Sequence, residues 1–180
     1  MSLSPQPEVT PAEQERGLRL LIIEAVFSGG AAALTTGVIL TAFALHLGAS
    51  TAMVGVLASI PFLAQLLQLP AIQLVERWRR RKQIAVVSSL IGRTMLAVMA
   101  AAAFFHGTVP LAVFLVAQAI LCGLGAVGSC AWNAWMRDLA PEERLGQLFA
   151  RRTVWLTAIS LALGLVAALA LDVTKPGSPQ

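Results

Sequence analysis

Five long stretches of this chain contain almost no charged side chains. A helix rises about 1.5 Å per residue, so about 20 residues cross a hydrocarbon core ~30 Å thick. Backbone polar groups in lipid must be paired internally, which favours helices in these stretches. The sequence therefore predicts an all-α polytopic integral membrane protein with spans at about residues 20–45, 52–75, 84–105, 109–136 and 154–171.

The composition agrees with a membrane protein. Hydrophobic residues make up 57% of the chain and charged residues only 12%, whereas a soluble domain has about 25% charged residues. The net charge of +4 could indicate a nucleic-acid partner. However, the basic residues cluster at the ends of apolar stretches rather than along one face. The sequence thus predicts a lipid bilayer as partner and no nucleic acid.

The basic residues also predict an orientation. Arg77 and residues 79–82 form a dense basic cluster between the second and third spans, and eleven of the thirteen Lys and Arg residues fall on the same side of the predicted threading. Basic loops stay on the cytoplasmic side. We therefore expect a multi-pass protein of the cell membrane, such as the bacterial inner membrane. It has a cytoplasmic N-terminal tail (1–19), a helical bundle (20–171) and an outer C-terminal tail (172–180).

Small residues recur at four-residue steps in two spans, which predicts close helix packing along those faces. The first span has Gly29, Ala33 and Gly37, and the fourth has Cys122, Ala126, Cys130 and Ala134. Residues 123–128 have the glycine spacing of a dinucleotide-binding loop. They lie mid-span with no preceding strand, so we interpret them as packing residues and predict no cofactor.

A few polar residues within the spans are candidates for a site. Arg93 lies deep in the third span, where it must face protein or water, and Glu24 in the first span is a candidate partner. Alternatively, Arg93 could reach the interface and leave Glu24 unpaired. Gln65, Gln118 and Asn133 could line a cavity or bond neighbouring helices together. The chain shows no catalytic set and no metal-ligand spacing, so we predict neither an enzyme nor a metal site.

The basic loop resembles a loop signature of the major facilitator superfamily of transporters. In the stretch 74–82, Glu76 is at the acidic position, Arg77 is at the next basic position, and Arg80 and Arg81 form the closing basic pair. Ile72 and Arg79 occupy the two glycine positions of that signature. A second stretch, 138–152, is similar to the family's loop between spans four and five. The resemblance implies that spans one and four line a central cavity, and that Glu76, Arg77 and Arg81 belong to a cytoplasmic charge network.

The resemblance also implies a function. We expect the chain to be the N-terminal portion of a secondary transporter that moves a small solute across the cytoplasmic membrane by alternating access. The remaining half of the transporter would be a missing C-terminal half or a second copy of the chain. The alternative is a small membrane scaffold that associates with itself through its glycine faces and transports nothing.

Overall fold

The computed structural model describes residues 11–105, 108–139 and 142–173, and all regular secondary structure in these ranges is α-helical. The expected all-α fold is therefore confirmed for the part of the chain described. The helices are α1 (Pro11–Thr35), α2 (Gly37–His46), α3 (Thr51–Leu66), α4 (Gln68–Trp78), α5 (Arg81–Ala102), α6 (Thr108–Leu139) and α7 (Glu142–Val173).

The chain forms two compact units. The α3–α6 unit contains the described residues of 44–139, and the α1–α7 unit contains those of 9–43 and 140–180. Within the described residues, four stretches are long and apolar enough to cross a membrane: Thr51–Trp78, Arg81–Ala102, Val109–Arg137 and Leu145–Ala170. A fifth could be formed by α1 and α2 together, which are bent by 40° at the break between them.

The first helix begins earlier than the sequence suggested. Residues 1–10 of the predicted tail lie outside the described residues, but residues 11–19 are helical and belong to α1. Proline is well tolerated at the first position of a helix, because its missing N–H has no helical partner there. Pro11 is followed by good helix formers, Ala, Glu and Gln, so local propensity extends the helix beyond the apolar stretch.

The first predicted span is interrupted at Gly37. This glycine has a φ of +64°, a conformation that residues with a side chain rarely adopt. Just before it, the hydroxyls of Thr35 and Thr36 donate hydrogen bonds of 2.7 Å to the carbonyl oxygens of Ala31 and Ala32. Gly37 is exposed, with open space around it. The prediction that Gly37 belongs to a packing face of the first span is therefore wrong. Gly37 instead allows the left-handed backbone conformation at the break between α1 and α2.

In the α3–α6 unit, helix α6 packs against α3, α4 and α5. The order of the contacts along each helix gives the helix directions. Helix α5 lies against α6 through three pairs of residues: Ala85 with Ala131, Ser88 with Gly128, and Gly92 with Leu121. Residue numbers rise along α5 as they fall along α6, so the two helices are antiparallel. Leu67 and Val75 lie against Gly123 and Ala131 respectively, so the α3–α4 segment runs parallel to α6.

The prediction that residues 123–128 are packing residues is confirmed for two of their three glycines. A Cβ on Gly123 would lie 3.2 Å from Leu67, and one on Gly128 would lie 3.3 Å from Ser88. Gly125 has open space around it. Ala126 is buried between them, whereas Cys122 and Cys130 are half-buried.

Helix α7 begins at Glu142 rather than at Val154, where the fifth apolar stretch begins. Arg151 and Arg152 therefore lie within the helix, and not in a loop before it. Charged residues do not interrupt a helix when the side chains reach solvent or a partner. Arg151 is exposed, whereas Arg152 has a partner in α1.

Candidate functional site

An ion pair joins α1 to α7 within the α1–α7 unit. A terminal nitrogen of the Arg152 guanidinium donates to the Glu24 carboxylate at 3.3 Å. The side chains keep 21% and 34% of their surface exposed, respectively. Each residue lies within a stretch that is a candidate membrane span. Ionisable residues in such positions are functional candidates when a partner of opposite charge is present.

Close packing of the two helices holds the pair together. The hydroxyl of Ser160 on α7 donates a 3.0 Å hydrogen bond to the carbonyl oxygen of Gly29 on α1. A Cβ on Gly29 would lie 2.9 Å from the carbonyl oxygen of Leu156, so only glycine permits this approach. Farther along, Gly30 lies against Leu163. Residues later in α1 therefore contact residues later in α7, which makes α1 and α7 parallel.

Sequence reasoning placed Glu24 at the site but missed Arg152 as its partner, because Arg152 was assigned to the loop before the fifth span. The sequence nevertheless contains a signal that identifies Arg152 as a possible partner of Glu24. Odd-numbered spans of a threaded chain run in the same direction, so charges near the start of the first and fifth spans lie at similar depth. Glu24 and Arg152 meet that condition.

Arg93, the partner proposed from the sequence, is exposed on α5. It belongs to the α3–α6 unit, whereas Glu24 belongs to the α1–α7 unit. Glu24 takes Arg152 as its ion-pair partner, and the pairing of Glu24 with Arg93 stays a prediction.

The remaining polar candidates lie in different environments of the α3–α6 unit. Gln118 is 2% exposed, and its amide nitrogen donates to the Cys122 sulfur at 3.4 Å. Its side-chain oxygen has no hydrogen-bond partner among the described residues. Gln65 is exposed and accepts a hydrogen bond from the Gln68 amide, while Asn133 is exposed on α6. Gln118 is therefore the buried member of the predicted set.

The basic loop is a tight turn of two residues. Helix α4 ends at Trp78, and Arg79 adopts a left-handed conformation with φ 50° and ψ 12°. Its N–H donates to the carbonyl oxygen of Val75 at 3.2 Å, and α5 begins at Arg81. Left-handed residues of this kind commonly end helices and are usually glycine. Arg79 occupies a glycine position of the transporter signature, and the turn forms there without glycine.

The start of α5 is fixed against the end of α6. The ammonium of Lys82 lies 5.9 Å from the centroid of the Trp135 ring, within range of a cation–π interaction. Val75 of α4, Ala85 of α5 and Ala131 of α6 form a buried apolar cluster at the same end of the unit. These contacts tie α4, α5 and α6 together at the end of the unit that carries the basic turn.

A cavity of about 280 Å³ lies at the break between α1 and α2, beside α7. Its polar lining residues include Thr36 and Ser160, whose hydroxyls both donate to backbone carbonyl oxygens. The remaining walls are small or apolar, including Gly37 and Gly164. The described residues contain no group of three His, Cys, Asp or Glu side chains that could hold a metal ion.

No protein-family model matches the chain, and no significant match was found among curated proteins or solved structures. The resemblance to the major facilitator superfamily therefore depends on the quoted loop residues and on the order of the spans.

Proposed function

We propose that the chain threads a cell membrane five times and forms a helical unit of a solute transporter of the major facilitator type. Its N-terminus would be cytoplasmic, as the basic residues predict. The transporter would move a small solute by alternating access, with a second helical unit supplied by another copy or by another polypeptide segment.

Two structural observations support the threading. Consecutive spans of a threaded chain must be antiparallel, as α5 and α6 are, and spans two apart must be parallel, as the α3–α4 segment and α6 are. The parallel pair α1 and α7 fits the first and fifth positions. Large apolar side chains such as Phe27 and Phe62 are 70% and 77% exposed. They favour a lipid environment, because contact between this apolar surface and water would be unfavourable.

The single observation that carries the transport proposal is the ion pair of Glu24 and Arg152. Charges are expensive in a bilayer and persist mainly where they serve a pathway or a moving contact. This pair is only partly buried and has one contact distance of 3.3 Å, so the two side chains can separate without unfolding either helix. We infer that it makes and breaks as the transporter alternates between its two states.

Topology reporters at both ends of the chain test the threading. A tag at Met1 should be cytoplasmic and a tag at Gln180 should lie on the opposite side. Two tags on the same side would reject a five-span protein. Extraction of membranes with alkaline carbonate should leave the full chain in the membrane fraction, since spanning helices resist removal.

Transport is tested in cells that naturally carry the gene. A deletion strain should lose uptake or efflux of at least one compound in a panel of radiolabelled sugars, amino acids and carboxylates. The unchanged gene should restore it and Glu24→Gln should not. Restoration by Glu24→Gln would contradict the role of the ion pair. No change in flux, together with a defined homo-oligomer on crosslinking, would favour the membrane scaffold.

A further inference from the structure

The turn between α4 and α5 divides its basic residues into two groups. Arg77, Arg79 and Arg80 are exposed, together with Glu76 and Trp78. The next two residues of the chain, 81 and 82, are half-buried against the unit. We call the three exposed residues Arg77, Arg79 and Arg80 the arginine turn. They are distinct from residues 81 and 82, which pack against the unit.

The backbone explains this division. The left-handed conformation of Arg79 ends α4 after Trp78, and α5 starts two residues later. Residues 79 and 80 therefore lie at the tip of the turn, outside both helices. Arg77 lies in the last turn of α4, two residues after the buried Val75 and therefore about half a turn around the helix from the buried face.

The position of the arginine turn relative to a bilayer follows from helix length. The segment Thr51–Trp78 has 28 residues, and as a helix it extends about 42 Å, compared with a hydrocarbon core of ~30 Å. Its end therefore reaches the headgroup region when the apolar part fills the core. Trp78 is 58% exposed, as expected for an indole at the boundary between acyl chains and headgroups.

We propose that the arginine turn binds the phosphate headgroup of an anionic phospholipid, with Trp78 at the acyl boundary beside it. Guanidinium groups bind phosphate oxygens through two parallel hydrogen bonds. Basic clusters immediately next to a membrane helix attract anionic lipids. Glu76 lies in the same exposed stretch and opposes the binding by charge. The inference assumes the membrane insertion proposed above, but not the transport activity.

The test measures lipid bound to the full chain in a non-ionic detergent by native mass spectrometry. Phosphatidylglycerol should bind more tightly than phosphatidylcholine. Changing Arg77, Arg79 or Arg80 singly to Gln should weaken phosphatidylglycerol binding by about fivefold each. Glu76→Gln should strengthen it, because an opposing charge is removed.

Matched controls are Arg16→Gln, Arg19→Gln and Arg151→Gln. Each changes one exposed arginine on the same predicted side of the membrane, so the loss of charge is identical. These variants should bind phosphatidylglycerol as the unchanged protein does. Each variant keeps ten of the eleven basic residues on that side, so the orientation signal is retained.

Three results would overturn the lipid site: equal weakening by all six arginine changes, equal binding of both lipids, or displacement of phosphatidylglycerol by millimolar inorganic phosphate. The last result would identify a site for soluble phosphate instead. Carbonate extraction of the unchanged chain separates the two proposals. Extraction of the protein would reject membrane insertion, whereas retention without lipid preference would reject only the site.

Discussion

The hydroxyl of Ser160 on α7 donates to the carbonyl oxygen of Gly29 on α1 at 3.0 Å. This contact is possible because the glycine has no side chain where the backbone of Leu156 passes. It lies beyond the ion pair of Glu24 and Arg152 along the same two helices. The charged contact thus depends on a close backbone approach that small residues provide.

Gly29→Ala should destabilise the α1–α7 contact. The added Cβ would lie 2.9 Å from a backbone oxygen, so the helices must separate, at a cost of about 1–3 kcal/mol. A lower thermal unfolding midpoint of the detergent-purified chain would report this cost. Gly164→Ala is the control, since the structure has open space there. An equal or higher midpoint for Gly29→Ala would contradict the packing.

Glu24 and Arg152 should be energetically coupled. A double-mutant cycle with Glu24→Gln and Arg152→Gln should give a coupling energy of about 0.5–1 kcal/mol, because the pair is partly exposed and its contact distance is 3.3 Å. Thermal unfolding of the two single variants and the double variant measures the coupling. Replacing Arg151, the exposed neighbour, with Gln should show no coupling to Glu24. Strictly additive effects of Glu24→Gln and Arg152→Gln would exclude the ion pair in solution.

Arg79→Gly should stabilise the protein. A residue with a side chain in the left-handed region costs roughly 1–2 kcal/mol, and glycine avoids this cost while losing some entropy. The expected net gain is about 1 kcal/mol in the free energy of unfolding, measured with denaturant in detergent. Arg80→Gly removes the same charge at a residue with φ −100° and should destabilise the protein. A gain from both changes would point to charge rather than backbone conformation.

Gln118→Leu should raise the thermal unfolding midpoint. The side chain is buried, and its oxygen is without a partner among the described residues, so removing the unpaired acceptor should gain about 1 kcal/mol. Gln65→Leu, at an exposed position, serves as the control and should change stability little. A large loss of stability in Gln118→Leu would show that Gln118 bonds neighbouring helices together.

The helical class and the apolar stretches of this chain could be predicted from its sequence. Hydrophobicity and charge spacing are properties of consecutive residues, so they are readable without knowledge of distant contacts. Four candidate spans match predicted stretches, and the fifth corresponds to the bent α1–α2 pair. Helix ends were less predictable. Pro11 and Glu142 begin helices outside the apolar stretches because helix propensity and hydrophobicity are different properties.

The sequence by itself determined that the chain is helical, that its helices are apolar, and that its basic residues gather at particular ends. Tertiary structure alone decided that Glu24 meets Arg152, that Gly37 breaks the first span and that Arg79 takes a left-handed conformation. The ion pair joins residues 128 positions apart, and no local pattern specifies which of thirteen basic side chains comes within reach. That choice follows from the close approach of two parallel helices at Gly29.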